Sequence, residues 1–249
     1  MNRPTEQIYE NYTKHDFDVW EILFNRQINL LKDTASQEYL NAHKTINFSP
    51  DRIPDFKEIN SILNGLTGWS LQVVPCISPQ KEFFQLLSQK KFTATCWLRT
   101  MEQLDYLEEP DMFHDVFGHV PLLTNKSYCE FFKGISDIAL EHIDNPLAIE
   151  LLGKIYWFTI EFGLIREAGK LKIYGAGIMS SFGEVKHCLS DKVTRLDFDV
   201  EKIFSTDYRT DQMQNLYFVI DSYEQLYNSL GEIGKVLKKK IKEAEAAKV

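Results

Sequence analysis

Two histidines lie five residues apart in the segment FHDVFGHVPLL, between large apolar side chains. His114 and His119 could bind a metal ion together, or they could be core residues with ordinary hydrogen-bond partners. In a regular α-helix, five residues turn the chain so that the two imidazoles lie about 140° apart. Both could then reach one metal only beside the end of the helix, or through a distorted last turn that Gly118 would make less costly. The spacing alone leaves both interpretations open.

Glu161 is the third residue that could take part in metal chemistry. If its helix is regular, four large apolar side chains share its face: Trp157, Phe158, Leu164 and Ile165. An unpaired buried carboxylate is very unfavourable, so this group needs a cation, a metal ion or a proton. A salt bridge to an arginine would also satisfy it. Two histidines and one carboxylate around a metal with open positions are typical of non-haem Fe(II) oxygenases, whereas the spacing differs from the H-E-x-x-H of zinc peptidases.

The two elements that carry these residues are predicted to be helices. The first would begin at Pro110, because proline suits the first helical position, and would stop near Val120, which precedes another proline. The second would be capped by Asn145, begin at Pro146 and continue to Gly169. It is apolar on nearly every side, which indicates deep burial.

The remaining sequence predicts a mainly α protein with a few short antiparallel strands. Apolar residues recur every three or four positions in DFDVWEILFNRQINLLKD, and Pro54 with Asp55 would open a helix through FKEINSILNGL, which Gly65 can terminate. KEFFQLLSQ and SYEQLYNSLGEIGKVLKKKI are also predicted to be helical. Strands are predicted at SLQVV, FTATCWL and LYFVI, where apolar or β-branched residues alternate or cluster.

Composition excludes several classes of protein. The 249 residues carry a formal net charge of −8, which argues against a nucleic-acid surface. No apolar run approaches the roughly 20 residues of a membrane span, and the N-terminus lacks a signal peptide's apolar core. The four cysteines are scattered, so reduced thiols in a cytoplasmic protein are expected. Because no linker is visible, we expect one domain over 1–249, flexible at about 1–14 and ending in a helix or tail at about 232–249.

Three segments resemble, in this order, the catalytic domain of the pterin-dependent aromatic amino acid hydroxylases: EPDMFHDVFGHVPLL, YWFTIEFGL and YGAGIMSSFGE. The resemblance extends to the helix with Trp20 and to RIPDFKEIN, TGWSLQVVPC and FTATCWLRT, and covers roughly residues 15–230. Within the family, the chain is most similar to the short bacterial phenylalanine 4-hydroxylases. The resemblance implies that family's catalytic-domain fold and an Fe(II) enzyme that uses O2 and tetrahydrobiopterin.

The resemblance also implies a role for particular residues. The implied iron ligands are His114, His119 and Glu161. The implied residues of the substrate site are Arg99, Asp111, Trp157, Ser180 and Glu184. The implied residues of the pterin site are Ile77, Ser78, Phe83, Asp115 and Tyr156. Iron and reduced pterin together would activate O2 to a high-valent iron-oxo species that attacks the aromatic ring.

The resemblance also implies which part of the substrate or pterin some of these residues contact. Arg99 would grip the substrate carboxylate, Asp111 would hold that arginine, Trp157 would form a wall for the substrate ring, and the pterin would stack on Phe83. Ser180 and Glu184 would lie near the substrate's amino-acid backbone, beside a tight turn permitted by two glycines, Gly175 and Gly177. Without the resemblance, Arg99 would be read as a surface charge and both Trp157 and Phe83 as core residues.

Three positions depart from the family pattern. Asp115 stands where the animal enzymes have glutamate, Cys76 stands where glycine is common, and Thr210 lies where residues help to distinguish phenylalanine from tyrosine enzymes. Because only about 15 residues precede the matching region, an animal-type regulatory domain is expected to be missing. The tail after about Gly231 is short and lacks a long leucine heptad repeat, so the protein is expected to be a monomer, or at most a weak dimer.

The predicted activity is that of a phenylalanine 4-monooxygenase, which converts L-phenylalanine to L-tyrosine. The same chemistry on tyrosine, on tryptophan or at ring position 3 is a close alternative. A metal-dependent hydrolase with Asp115 as general base is a second. A third is a non-catalytic binding protein in which His114, His119 and Glu161 are satisfied core groups.

Overall fold

The computed structural model describes residues 3–105 and 107–247. Its α-helices are α1 (Lys14–Leu31), α2 (Gln37–Thr45), α3 (Phe56–Leu66), α4 (Gln80–Ser88), α5 (Lys126–Glu141), α6 (Pro146–Tyr156), α7 (Ala176–Met179), α8 (Phe182–His187), α9 (Val200–Ser205), α10 (Tyr223–Asn228) and α11 (Leu230–Ala246). Its strands are β1 (Ser70–Val73), β2 (Lys91–Ala94), β3 (Leu164–Glu167), β4 (Lys170–Ile173), β5 (Thr194–Asp197) and β6 (Leu216–Ile220). Two further segments, Phe113–His119 and Trp157–Glu161, are π-helical.

The expectation of a mainly helical protein is confirmed, but most strand pairings are parallel rather than antiparallel. β1 pairs with β2 in parallel, and so do β3 with β6 and β5 with β6. The order of the larger sheet is β4-β3-β6-β5, and its β3–β4 pair is antiparallel. A two-residue turn, Ala168 and Gly169, joins β3 to β4, whereas parallel partners need a long crossover such as the one through α4. Strand periodicity shows which face is buried but not the direction of the partner, so the sequence could not give this orientation.

The predicted helices are largely present. The capping box of Thr13 and Asp16 starts α1, and the Asp55 carboxylate caps α3 by accepting from the Lys57 backbone. The predicted helix through FKEINSILNGL is confirmed, and it ends at Leu66, one residue after Gly65. The chain turns away only at Gly68, whose φ of 77° suits glycine.

The predicted C-terminal helix is divided at Ser229 into α10 and α11. The Ser229 hydroxyl donates to the Leu226 carbonyl at 2.7 Å, a local bond of the kind that competes with helix propagation. α11 then packs against α5, α6 and α9, and it buries three apolar side chains in the core: Ile233, Val236 and Leu237. At the other end of the chain, Tyr12 in the predicted flexible segment donates to the Cys96 carbonyl at 2.7 Å.

The structure bears on two further expectations, which concern membrane-spanning segments and the state of the cysteines. None of the helices in the described ranges is long and apolar enough to cross a membrane. The four cysteines are free thiols: Cys76 is exposed, and Cys96, Cys129 and Cys188 are buried.

One buried histidine lies in the core beneath the first π-helical segment. His43 contacts four aromatic rings, which belong to Phe24, Tyr39, Phe48 and Phe117. Within the described residues, neither of its ring nitrogens has a hydrogen-bond partner. Burial lowers the pKa of His43 from 6.5 to about 3, because the aromatic surroundings disfavour the charged imidazolium.

This histidine should make the stability of the fold depend on pH. The unfolded chain protonates His43 near its ordinary pKa, but the folded protein resists protonation until about pH 3. Stability is therefore lost as the pH falls below about 6.5, by up to about 1.4 kcal/mol per pH unit from this group. We expect His43→Met to flatten the pH dependence of the free energy of unfolding, measured with urea between about pH 7 and about pH 5. Equal slopes for His43→Met and for His15→Gln, which changes an exposed histidine, would contradict this expectation.

Candidate active site

The segment that carries the two histidines is a π-helix, not the predicted α-helix from Pro110 to Val120. Its hydrogen bonds join residues five apart along the chain, so side chains five residues apart lie on the same side. His114 and His119 are consequently neighbours, with ring centroids 5.1 Å apart. The chain then tightens into a 3-10 turn, Val120–Thr124, with proline in its first turn. The angle of about 140° between the two imidazoles, expected for an α-helix, therefore does not apply to this segment.

The helix that carries Glu161 also changes type near its end. The predicted Asn145 cap and Pro146 start of α6 are confirmed, but the α-helix stops at Tyr156 and continues as the π-helical segment Trp157–Glu161. The predicted end at Gly169 is wrong, because the following apolar residues form β3. Leu164 and Ile165 are therefore strand residues that pair with β4 and β6, and not members of one helical face with Glu161.

The three predicted metal ligands converge. His119 Nε2 lies 3.1 Å from Glu161 Oε1, and His114 Nε2 lies 3.7 Å from Glu161 Oε2. One potential ligand atom from each residue lies within 4.8 Å of the other two. Within the described part of the chain, the basic side chains within 4 Å of the Glu161 carboxylate are these two histidines. The salt bridge to an arginine, which the sequence also allowed, is not formed there. The arrangement can hold a single metal ion.

Burial and neighbouring groups set the charges of this cluster. Burial lowers the pKa of His114 to about 4, which keeps its imidazole neutral near pH 7. Burial acts to raise the pKa of Glu161, but the adjacent His119 and His114 outweigh it and lower the pKa to about 2. A neutral imidazole and an ionised carboxylate are the forms that coordinate metals.

Ser180 contacts the Nδ1 atom of His114. The Ser180 hydroxyl lies 2.9 Å from His114 Nδ1 and donates its hydrogen to the Ala176 carbonyl, also at 2.9 Å. With its one hydrogen directed at that carbonyl, the Ser180 hydroxyl can accept from Nδ1–H of the histidine. The lone pair of the neutral imidazole is then on Nε2, which faces Glu161. Two histidines and one carboxylate in this state fit a non-haem Fe(II) ion with open coordination positions.

A buried arginine–aspartate pair lies next to the first π-helical segment. Arg99 Nε and Nη2 donate to the two carboxylate oxygens of Asp111 at 2.9 and 2.8 Å, and the side chains are 9% and 0% exposed. Asp111 Oδ1 also accepts from the backbone N–H of His114 at 3.2 Å. These contacts occupy two of the five N–H donors of the guanidinium. The remaining donors can bind a second carboxylate, in a position fixed relative to the metal cluster.

The predicted substrate residues Trp157 and Glu184 meet at a residue that sequence reasoning missed. The indole N–H of Trp157 donates to Gln214 Oε1 at 3.1 Å, and Glu184 Oε1 accepts from the Gln214 backbone at 2.9 Å. Glu184 Oε2 accepts from the Tyr217 hydroxyl, so the protein already engages both oxygens of this carboxylate. Tyr208, also missed, stacks on Trp157 with ring centroids 4.4 Å apart.

The predicted pterin residues are only partly grouped. The rings of Phe83 and Tyr156 meet edge to face at 5.7 Å, and Tyr156 also interacts with the Glu161 carboxylate. Asp115 is buried, and its Oδ2 accepts from the backbone and hydroxyl of Thr95 at 2.8 and 2.9 Å. Burial raises the pKa of Asp115 to about 7.

The other two predicted pterin residues lie in the loop between β1 and α4. Ile77 is 66% exposed and Ser78 is half-buried.

The chain is similar to known proteins over most of its length. Residues 3–244 match the family described as biopterin-dependent aromatic amino acid hydroxylase. The chain belongs to this family. It is 42% identical over 225 residues to the phenylalanine-4-hydroxylase of Ralstonia nicotianae, which covers 90% of this chain and 72% of that protein.

Solved structures of Chromobacterium violaceum phenylalanine hydroxylase share the fold of this hydroxylase. The structure with bound oxidised Fe(III) has a TM-score of 0.91 at 38% identity, covering 98% of this chain and 88% of that chain. The structure with iron(III) and the oxidised cofactor 7,8-dihydrobiopterin has a TM-score of 0.90 at 38% identity, with coverages of 98% and 87%. The expected fold of the family's catalytic domain is thereby confirmed.

Glycine at two places lets the backbone segments of the hydroxylase approach closely. A Cβ added to Gly175 would lie 2.4 Å from the Glu161 carbonyl oxygen and 2.5 Å from the Gly163 nitrogen. Its φ is −71°, which any residue adopts, so the requirement is space and not the predicted tight turn. A Cβ added to Gly118 would likewise lie 3.0 Å from the Ala176 carbonyl oxygen. α7 therefore lies directly against both π-helical segments.

Gly175→Ala is expected to lower both the stability of the fold and its affinity for Fe(II). The new methyl group collides with backbone atoms that cannot rotate away, and such overpacking costs about 1–3 kcal/mol or more. Glu161 must shift, so both the melting temperature and the Fe(II) affinity should fall, as measured by calorimetry and by metal titration. Gly234→Ala is the matched control, because nothing lies within 4 Å of its added Cβ. The same loss of metal in both variants would contradict the close-approach interpretation.

Proposed function

We propose that this hydroxylase is a phenylalanine 4-monooxygenase, which converts L-phenylalanine to L-tyrosine with O2, Fe(II) and tetrahydrobiopterin. The observation that carries this proposal is the convergence of His114 Nε2, His119 Nε2 and the Glu161 carboxylate. Its relatives in several bacteria are named phenylalanine-4-hydroxylase, which supports phenylalanine as the substrate.

His114, His119 and Glu161 are proposed to hold the iron. Fe(II) and the reduced pterin, when bound, would supply the electrons that activate O2, so that one oxygen atom enters the ring and the other leaves with the oxidised pterin or as water. The protein presents one anionic and two imidazole donors in a largely buried site, where each polar interaction is stronger than in water. Ser180 keeps the Nδ1 proton on His114 and so directs Nε2 to the metal. This role of Ser180 goes beyond the substrate contact that the resemblance implies.

Arg99 is proposed to bind the substrate carboxylate. Its two donors toward Asp111 fix the plane of the guanidinium, and the free edge can form two parallel hydrogen bonds with a carboxylate. Since Asp111 also accepts from the His114 backbone, the substrate's charged end and the metal would be held by one rigid unit. Trp157 would form the wall for the aromatic ring, and Glu184 would support that wall through Gln214.

The pterin is proposed to lie near Phe83 and Tyr156. Their edge-to-face pair is adjacent to Glu161, which places an aromatic surface beside the metal ligands. Asp115 would accept a hydrogen bond from the pterin, through the carboxylate oxygen that Thr95 does not engage. Ile77 and Ser78 would cover the edge of the ring system from their loop.

The wider organisation is also a proposal. The described residues share one cluster of buried apolar side chains, which supports a single catalytic domain over 1–249. Four free thiols support a reducing, cytoplasmic location. We propose that the protein acts there as a monomer and binds a small-molecule substrate, with neither nucleic acid nor membrane as a partner.

An anaerobic reconstitution tests the activity. Protein, Fe(II), tetrahydrobiopterin and phenylalanine are mixed without oxygen, the reaction is started with O2, and tyrosine is measured by chromatography. We expect tyrosine only in the complete mixture. Pterin oxidation without tyrosine would contradict phenylalanine as the substrate, and tyrosine and tryptophan would then be tested. If neither pterin oxidation nor product appeared with iron bound, the proposed activity would be wrong.

A further inference from the structure

Gln214 connects two predicted substrate residues with an exposed loop. Its side chain, in a residue only 6% exposed, accepts from Trp157 Nε1 at 3.1 Å and donates through Nε2 to the carbonyls of Arg209 and Gln212 at 2.7 and 3.0 Å. Its backbone N–H donates to Glu184 Oε1 at 2.9 Å. Every polar group of this amide is therefore engaged.

The orientation of the Gln214 amide is fixed by its partners. An indole N–H can only donate, so it must face the amide oxygen. The two carbonyls can only accept, so they must face the amide nitrogen. No other side chain of similar size both accepts one such bond and donates two, which means that glutamate or methionine would lose at least two of the contacts.

The amide closes a turn in the loop 206–215. The carbonyls that it binds lie on either side of Thr210 and Asp211, so the turn between Arg209 and Gln212 is tied to a buried group. The start of the loop has a second attachment, since the buried Lys154 donates to the Asp207 carboxylate at 2.7 Å.

Trp157 is held from three directions. Its ring contacts those of Tyr208 and Phe162, with centroid distances of 4.4 and 4.5 Å, while Gln214 accepts from the indole N–H. Trp157 begins the π-helical segment that ends at Glu161. The orientation of the indole is thereby tied to the segment that carries a proposed metal ligand.

We propose that Gln214 is a positioning residue for the substrate ring: it fixes the indole of Trp157 and the 209–212 turn as one wall. This inference rests on the proposed function, because Gln214 can have this role only if the substrate has an aromatic ring that contacts Trp157. Loss of the amide would leave the metal ligands in place and allow the wall to move. The ring would then bind less tightly and be presented to the reacting centre less accurately.

The test compares four proteins in the complete reaction mixture: wild type, Gln214→Met, Trp157→Phe and the double variant. We expect Gln214→Met to raise the KM for phenylalanine by about tenfold, with less than about a threefold change in kcat. The yield of tyrosine per pterin oxidised should fall. In the Trp157→Phe background, which lacks the indole N–H, the same change should have a smaller effect, because the two residues act as a unit.

A second readout needs no turnover. Trypsin should cleave after Arg209 about tenfold faster in Gln214→Met, because the turn is no longer tied down. Gln225→Met is the matched control, since Gln225 accepts from the Asp221 backbone and lies in α10, which carries no predicted site residue. It should leave KM and this cleavage unchanged.

The outcomes separate the inference from the activity on which it rests. Wild type that forms tyrosine, with a Gln214→Met variant of unchanged KM, product yield and cleavage rate, would overturn the role of Gln214 alone. A fall in melting temperature without these changes would overturn it too, because it would show a merely structural residue. No tyrosine from wild type would instead contradict the proposed function.

Discussion

Glu161→Gln is expected to abolish tyrosine formation, with kcat/KM falling by about a thousandfold or more, or about 4 kcal/mol. Glutamine keeps the shape of the side chain but removes the anionic donor of the cluster. The carboxylate is ionised because the two histidines outweigh its burial and lower its pKa to about 2. A neutral amide would leave Fe(II) with two imidazoles, so metal affinity and activity should fall together.

The experiment needs a substitution that is chemically the same but distant from the metal. Glu150→Gln provides it, because Glu150 is exposed on α6, the helix that leads into the Glu161 segment. Bound iron is measured after anaerobic loading, and the melting temperature is recorded with and without Fe(II). The variant at position 161 should lose the stabilisation that iron gives to the native state, and the control should retain it. Wild-type iron content and turnover in Glu161→Gln would remove this residue from the metal site.

The candidate metal ligands could be identified from the sequence, but their geometry could not. A five-residue spacing is unfavourable in an α-helix and favourable in a π-helix, and nothing in FHDVFGHVPLL selects the second. The reason lies elsewhere in the chain, because Gly118 packs against Ala176 and Gly175 packs against the Glu161 backbone. Such contacts between distant segments decide the helix type after local propensities have been satisfied.

Contacts between distant segments also explain why the sequence predicts the wrong element for LIRE and gives no signal for Gln214. LIRE continues the apolar pattern of α6, so the sequence predicts it as part of that helix, but its backbone hydrogen bonds go to β4 and β6. Gln214 carries no motif, and its importance comes from partners 57 and 30 residues away. A buried amide with every bond satisfied is a property of the fold, so sequence periodicity gave no signal for it.

Arg99→Lys is expected to raise the KM for phenylalanine by about a hundredfold, or about 2.7 kcal/mol in kcat/KM. Lysine keeps a positive charge next to the buried Asp111 carboxylate but loses the planar fork that binds two carboxylates at once. Arg99→Met is a poorer test, because an unpaired Asp111 would destabilise the fold by about 3–5 kcal/mol. Arg166→Lys is the control, since Arg166 also pairs with two aspartates, Asp197 and Asp221, but on the surface.

A change of substrate distinguishes a carboxylate contact from a structural role for Arg99. Phenethylamine has the ring and amine of phenylalanine but no carboxylate. If Arg99 binds that carboxylate, the kcat/KM of wild type should be much higher for phenylalanine than for phenethylamine. Arg99→Lys should lower the ratio of these two values by about a hundredfold, because only the value for phenylalanine falls. A purely structural arginine would lower activity on both compounds equally, and the preference would not change. Because the ratio cancels any loss of folded or iron-loaded enzyme, it isolates the interaction between one guanidinium and one carboxylate.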